Sequence, residues 1–406
     1  MPDVLIVGGG AAGMAAAVAA GMRGERALVL ERMDRVGKKL LATGNGRCNL
    51  MNTGPLRYPG GEALARAVLD RCGPQEQAAF WRHWGLPLRE EEDGRVYPAS
   101  GQASSVLDTL RLAMDATGAE IVTGIAVDGI RHDGKRFTVT SGGQAWQAPR
   151  IIVAGGGCAQ TKLGSDGSAW GLLTPFGHRL LKPRPALTQI VTDPAPIRGL
   201  AGIRARCRVT VLRGEKALHA ESGELLFADY GVSGVCVMQC ARWAEPGCSL
   251  AIDFTPVMGF DSPAALAGEL RRRQALFAAY PAEQLLTGLC VPRLASCLMK
   301  AAGIRRETPI MRLTSSDLDR LARVMTCFRL DVRGVKGFES AQVTAGGLDI
   351  SGFDPLTLES RHQPGLHACG EMLDVDGDCG GYNLMFAFGS GLLAGLNGDA
   401  APWRTT

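Results

Sequence analysis

The sequence contains no stretch of about 18 apolar residues, the length a membrane-spanning helix needs, so no part of it is expected to cross a bilayer. Met1 to Ala20 is apolar but lacks the basic leading segment of a secretory signal, and a cytoplasmic protein is expected. Histidine is scarce, at 6 residues, and no Cys-x-x-Cys pair occurs. Without a tight Cys/His grouping neither a zinc site nor any other metal is expected. The 12 cysteines are scattered and should remain thiols in a reducing compartment. Cys236 with Cys240, and Cys290 with Cys297, have spacings that suit buried helix faces. Net charge is only +4, too small by itself to imply a polyanionic partner. The excess lies in the middle, where residues 186–335 carry 19 Lys and Arg against 14 Asp and Glu.

What the sequence has in abundance is glycine, 54 of 406 residues, about twice ordinary usage. The glycines are clustered, as where backbone must turn sharply or approach a ligand closely. Asp3 to Val7 reads as a buried strand, Ala11 to Arg23 as an Ala-rich helix, and Ala27 to Leu30 as a second strand, which together make a βαβ unit. Pro74 to Trp84 and Ser104 to Thr117 read as helices. Ile121 to Ile130, Arg136 to Ser141 and Ile151 to Ala154 read as strands. Past Pro183 and Pro185 short strands follow: Leu187 to Thr192, Ala205 to Leu212, Leu225 to Phe227 and Ser249 to Phe254. From Ser262 to about Phe328 the pattern is helical. Strand-and-turn texture returns at Ala341, and a final Ala/Gly/Leu helix spans Asn383 to Leu396.

Gly8, Gly10 and Gly13 fit Gly-x-Gly-x-x-Gly between the first strand and the first helix. The first glycine permits the turn, the second lets backbone reach a pyrophosphate, and the third lets helix pack close to strand. The pyrophosphate would sit at the helix N-terminus, where free N–H groups and the dipole favour an anion. Glu31, 18 residues past Gly13, ends the second strand and can accept from ribose hydroxyls. A Gly-rich turn in another α/β fold would leave Glu31 unexplained. The fingerprint alone does not separate FAD from NAD. Its N-terminal position and the segment Gly37 to Asn49 favour FAD. In that segment Lys39, Thr43, Gly46, Arg47, Cys48 and Asn49 could wrap phosphates and ribitol, with Lys39 and Arg47 neutralising charge. A solvated basic loop is the plainer alternative. Ala12, Arg32, Val127 and Gly155 complete the candidate cofactor contacts from the first part of the chain. Gly155 to Gly157 also follows a strand, but Gln160, Lys162 and Ser165 do not continue a second fingerprint. One tightly held dinucleotide is expected, without a dedicated nicotinamide domain.

Several further motifs accompany these: Gly223-Glu224-Leu225-Leu226-Phe227, Gly231-Val232-Ser233-Gly234, Thr344-Ala345-Gly346-Gly347, and Gly370-Glu371-Met372-Leu373-Asp374-Val375-Asp376-Gly377 followed by Gly380-Gly381-Tyr382-Asn383-Leu384. With Val4 to Gly13 and Thr43 to Asn49 they span almost the whole chain. In them the sequence resembles the bacterial NAD(P)/FAD-dependent oxidoreductases described as the aminoacetone oxidase family, related to bile-acid enone reductases and ribosomal-RNA dihydrouridine synthase. The resemblance implies an α/β fold. It would have a Rossmann-like FAD-binding domain of glutathione-reductase type built from 1–185 and 336–406, an inserted β subdomain at 186–261 and a helical subdomain at 262–335. It implies Gly370, Glu371, Asp374, Gly381, Tyr382 and Asn383 as flavin contacts, with the final helix aimed at the flavin. Turn chemistry is the alternative for Asp374 and Asp376. Two departures stand out. Ala228-Asp229 and Ser233-Gly234-Val235 replace the family's Thr-His and Ser-Gly-Pro, and Cys379 stands where Thr is usual.

The implied chemistry is FAD-mediated hydride transfer, with NAD(P)H as reductant of a conjugated C=C bond in a small molecule or in ribosomal-RNA uridine. An oxygen-dependent oxidase of aminoacetone type is an alternative, as is a flavin-binding RNA-associated protein. Candidate proton donors are Cys48, near Arg47, with Cys379, Tyr382 and Tyr230; buried inert thiols are the commoner state. Arg204, Arg206 and Arg208 alternate, share one strand face, and could meet phosphates of an RNA substrate, or simply form a solvated face. No RRM or KH signature occurs.

Overall fold

The computed structural model describes residues 1–405. The chain divides into two compact units: residues 1–184 with 342 onward, and the inserted residues 185–341.

The first unit is built on a parallel sheet of five strands: β1 (Val4–Val7), β2 (Ala27–Glu31), β3 (Glu120–Thr123), β4 (Arg150–Val153) and β5 (Leu366–Ala368). Their order is β5-β4-β1-β2-β3. Every residue of β1, β2, β4 and β5 is buried, as in a parallel sheet covered on both faces, and only Glu31, Arg150 and His367 interrupt their apolar character. The anticipated strand Ile121–Ile130 is two pieces. Gly124 takes φ +76° and ends β3. Gly129–His132 then joins a separate antiparallel sheet with Phe137–Ser141 and Gln144–Ala148.

Two helices bring the chain ends together. Helix α1 (Ala11–Met22) follows β1, and α2 (Tyr382–Leu396) packs along it. A Cβ on Gly391 would lie 2.2 Å from the Ala12 carbonyl oxygen, and one on Gly395 would lie 2.4 Å from that of Ala16. Glycine at both positions, one helical turn apart, is what allows the two backbones to touch. The far end of α2 is pinned by the buried Arg150, which donates to the Ala394 carbonyl at 2.9 Å and pairs with Glu25. Cations at a helix C-terminus are favourable.

The second unit is a closed six-stranded barrel with four helices on one core. Around the barrel the strands run Ile190–Thr192, Gly231–Ser233, Lys216–Ala228, Arg204–Arg213, Ser249–Asp253 and Phe328–Val335. The reading of 262–335 as a separate helical subdomain differs from this arrangement in two ways. Leu266, Leu298 and Leu321 of the helices share one buried cluster with Val209, Leu250 and Ile252 of the strands. Phe328–Val335 is itself a strand, burying Phe328, Leu330 and Val332 in alternation and pairing with Ser249–Asp253 and Ile190–Thr192. It follows the helix Ser315–Thr326 with only Cys327 between, so no Gly or Pro marks the change of period. Cys236 and Cys240 are buried on one short helix, whereas Cys290 lies outside the helix Pro292–Ala301 that carries Cys297.

Candidate functional site

The turn from β1 to α1 shows why its glycines are needed. Gly8 has φ +104°, and a Cβ there would sit 2.5 Å from the Ala154 carbonyl oxygen. A Cβ on Gly13 would lie 1.9 Å from the Gly8 carbonyl oxygen. Gly10 differs: its Cβ would meet no atom within 4 Å, so this glycine leaves open the cavity it lines. No side chain caps α1, and its first-turn N–H groups are left to attract an anion. Glu31 is buried at the end of β2, where its carboxylate accepts from the Gly9 N–H at 2.6 Å and the Met33 N–H at 2.7 Å. Two backbone donors thus fix its direction in the wall.

The cavity has a volume of about 440 Å³, within the range of about 300–1,000 Å³ usual for ligand and cofactor sites. Both chain ends line it. Gly8, Gly10, Ala12, Glu31, Arg32, Lys39 and Thr43 come from the N-terminal part. Val127 and Gly155 follow from the edge and centre of the sheet, and Gly370, Glu371 and Asn383 from the C-terminal part. The open space at Gly10, the uncapped helix and the fixed acid suit a dinucleotide's pyrophosphate and ribose.

Other sequence-derived candidates lie off the cavity wall. Gly13 packs α1 against the turn. Lys39 does line the cavity, but its ammonium is 2.5 Å from Glu371, whose other oxygen accepts from the Thr344 N–H at 2.8 Å. Arg47 pairs with Glu91 at 2.5 Å and lies 4.1 Å over the Tyr97 ring. Lys39 and Arg47, expected to neutralise phosphate charge, are thus each paired with a carboxylate. Asn49, with its amide oriented to satisfy its neighbours, donates to the Val96 and Met51 carbonyls and accepts from Gly381 N–H, all at 3.2 Å. A Cβ on Gly381 would lie 2.4 Å from the Met51 carbonyl oxygen, whereas one on Gly46 would meet no atom within 4 Å. Asp374 accepts from Gly346 N–H at 3.0 Å, across 28 residues, a tie to the strand Val343–Leu348. Asn49 ties the Gly-rich loop to Gly381 at the start of α2.

The proton-donor candidates fare likewise. Cys48 is wholly buried, and burial pushes its thiol up to about 12. This environment suits an inert buried thiol, and Arg47 is turned to Glu91. Cys379 is also raised, chiefly by burial. The Tyr382 hydroxyl, raised by burial, donates to the Pro55 carbonyl at 3.0 Å. Tyr230 belongs to the inserted unit and carries Lys336 4.4 Å above its ring. None of the four lines the cavity. Arg204, Arg206 and Arg208 do share an exposed strand face. Acids interleave them: Glu224 pairs with Arg204 at 2.5 Å and stands opposite Arg206, and Asp253 stands opposite Arg208.

The structure adds wall residues that the motifs did not single out, chiefly Gly9, Met33 and the stretch Leu163, Gly164, Ser165, Asp166 and Ser168. The visible signal for the last was the polar run Gly164-Ser165-Asp166-Gly167-Ser168. Among the described residues no group of three or more His, Cys, Asp or Glu could hold a metal ion, and no helix is long and apolar enough to cross a membrane.

The model of the family described as "HI0933-like protein Rossmann domain" matches residues 2–397. The chain belongs to this family. It is a flavin-dependent oxidoreductase with a Rossmann-type FAD-binding fold. It is 37% identical over 413 residues to a 3-dehydro-bile acid delta(4,6)-reductase of Clostridium scindens, covering 99% of this chain and 100% of that protein. It is 27% identical over 403 residues to a ribosomal RNA dihydrouridine synthase of Haemophilus influenzae, with 97% of each chain covered. A ribosomal RNA dihydrouridine synthase of Escherichia coli is 26% identical over 399 residues, with 96% of each covered.

Proposed function

We propose that this member of the HI0933-like family is an NAD(P)H-dependent reductase of a conjugated C=C bond in a small molecule. The observation that carries the proposal is the 37% identity, along the whole of both chains, to a protein named as a reductase of 3-dehydro-bile acids. FAD would supply the hydride transfer; the protein positions the cofactor and tunes its surroundings. Glu31 would hold the ribose, and the turn at Gly8–Gly10 with the N-terminus of α1 would hold the pyrophosphate. Lys39 and Glu371 form a joined pair on the same wall. That pair presents a matched set of charges rather than a free cation, and it ties the loop after β2 to the turn after β5.

The test is anaerobic reduction of the purified protein by NADH or NADPH, followed by mixing with a 3-oxo-Δ4 steroid or with oxygen. The reductase reading expects flavin reoxidation to be much faster with the enone. Rapid reoxidation by oxygen with no effect of enone would replace it with the oxidase reading.

A second substrate, uridine in ribosomal RNA, is supported by the two relatives named as dihydrouridine synthases. Comparison of modified nucleosides in ribosomal RNA from a deletion strain and its parent decides between them. Loss of a dihydrouridine would favour RNA, and an unchanged nucleoside profile would favour the small molecule.

A further inference from the structure

The wall residues missed by the motifs form a connected device. Arg32 directly follows Glu31, the acid at the ribose end of the cavity. Its guanidinium is 2.5 Å from the Asp166 carboxylate and donates to the Ser168 hydroxyl at 3.2 Å. Asp166 in turn accepts from the Ser168 N–H at 3.1 Å and its hydroxyl at 2.7 Å. Burial works to raise the Asp166 carboxyl, but Arg32 and Ser168 outweigh it and bring it down to about 2. The loop is shaped for this position. Gly164 and Gly167 take φ +101° and +80°. A Cβ on Gly164 would press 2.9 Å from the Met33 side chain, and one on Gly156 would lie 2.5 Å from the Ser165 hydroxyl. So a loop whose Ser168 stands 136 residues beyond Arg32 is packed on Met33 and fastened to Arg32, and all of these residues except Gly167 line the cavity.

We propose that the Arg32–Asp166 pair is a strap. It fastens the loop 163–168 along the nucleoside end of the FAD cavity and sets how fast FAD leaves. The inference rests on the assignment of this cavity to FAD. Asp166 and Arg32 act as positioning residues; neither takes part in hydride transfer. The pair is about one-third exposed, with side-chain exposures of 38% and 36%. Its contribution is therefore that of a partly screened ion pair, up to roughly 1 kcal/mol, or about fivefold in a rate.

The experiment follows FAD release from the holoenzyme by recovery of flavin fluorescence after dilution, for wild type, Asp166→Asn, Arg32→Gln and the double variant. Asparagine keeps the shape of Asp166 and removes only its charge. The strap predicts release about three- to fivefold faster in Asp166→Asn at low ionic strength. The gap should narrow as salt screens the pair in the wild type, Asp166→Glu should restore slow release, and the double variant should be no faster than the faster single one. Release from Asp166→Asn equal to wild type would overturn the proposal. So would effects of the two single variants that multiply in the double one. If Asp166→Asn fails to fold, Arg32→Gln with its salt dependence carries the same test. A wild-type protein that takes up no FAD would instead defeat the cavity's assignment, an outcome visible before any variant is made.

Discussion

Glu31 has two duties, and both can be measured. It accepts from Gly9 and Met33 N–H groups and lines the cavity where a ribose would lie. Glu31→Ala should weaken FAD binding in an FAD titration. It should also lower stability by roughly 1–3 kcal/mol, because two backbone donors lose their acceptor. A variant with normal FAD affinity would remove the residue from the site. Buried histidines make a second prediction at this scale. His367 is fully buried with Nε2 3.0 Å from the Asn397 side-chain oxygen. Burial, aided by the Arg150 charge, lowers it to about 4, against a weaker opposing pull from Asn397 and Glu359. His178, stacked on Phe353, is lowered to about 4 by burial and by His362. Between about 6.5, the unfolded value, and about 4, the unfolded chain binds more protons than the folded one. Stability is therefore complete above that window and lost as pH falls through it. The melting temperature should drop from pH 7 to pH 5, and His367→Gln should flatten part of that slope. The fingerprint glycines and Glu31 were legible because each answers a local geometric demand. The partner of Lys39 was not, because Glu371 stands 332 residues away, and sequence does not show which carboxylate claims a cation.

At the scale of elements, the packing of α1 on α2 makes the site a joint product of the two chain ends. Gly391→Val would place a side chain 2.2 Å from the Ala12 carbonyl oxygen, against backbone that cannot yield cheaply. Overpacking of this kind costs about 1–3 kcal/mol or more. The expected outcome is a lower melting temperature together with weaker FAD retention, since Ala12 lines the cavity. Loss of stability with full FAD affinity would show that the helix contact does not shape the site. Both helices were readable from composition, and the βαβ unit from its pattern. The strand Phe328–Val335 was not, because it leaves a helix without a breaker. The long strand Lys216–Ala228 was seen only at Leu225 to Phe227. Its middle, His219 to Glu224, is polar and half-exposed, and so carries no buried alternation to read.

At the scale of the whole molecule, two cores divide the chain, and the cavity belongs to one of them. A ligand that binds only the folded state stabilises it by about 2.7 kcal/mol at a hundred times its dissociation constant. Added FAD should therefore slow hydrogen exchange in β1, α1, β2 and α2. Protection confined to residues 190–335 would move the cofactor to the barrel. The division into a flavin unit and an insertion was legible from the change of texture near Pro183, since a parallel sheet and an antiparallel barrel space their apolar residues differently. That the inserted strands and helices share one core was not, because periodicity reports which face is buried and not what it is buried against.

The central claim is that both ends of this chain close around a single FAD. Its most direct measurement is the flavin content of the purified protein, taken by absorbance and by chromatography of the released cofactor, with reconstitution of any stripped protein. One FAD per chain, with uptake weakened in both Glu31→Ala and Gly391→Val, is the predicted result. Colourless protein that takes up no FAD, or flavin binding indifferent to both substitutions, would contradict it.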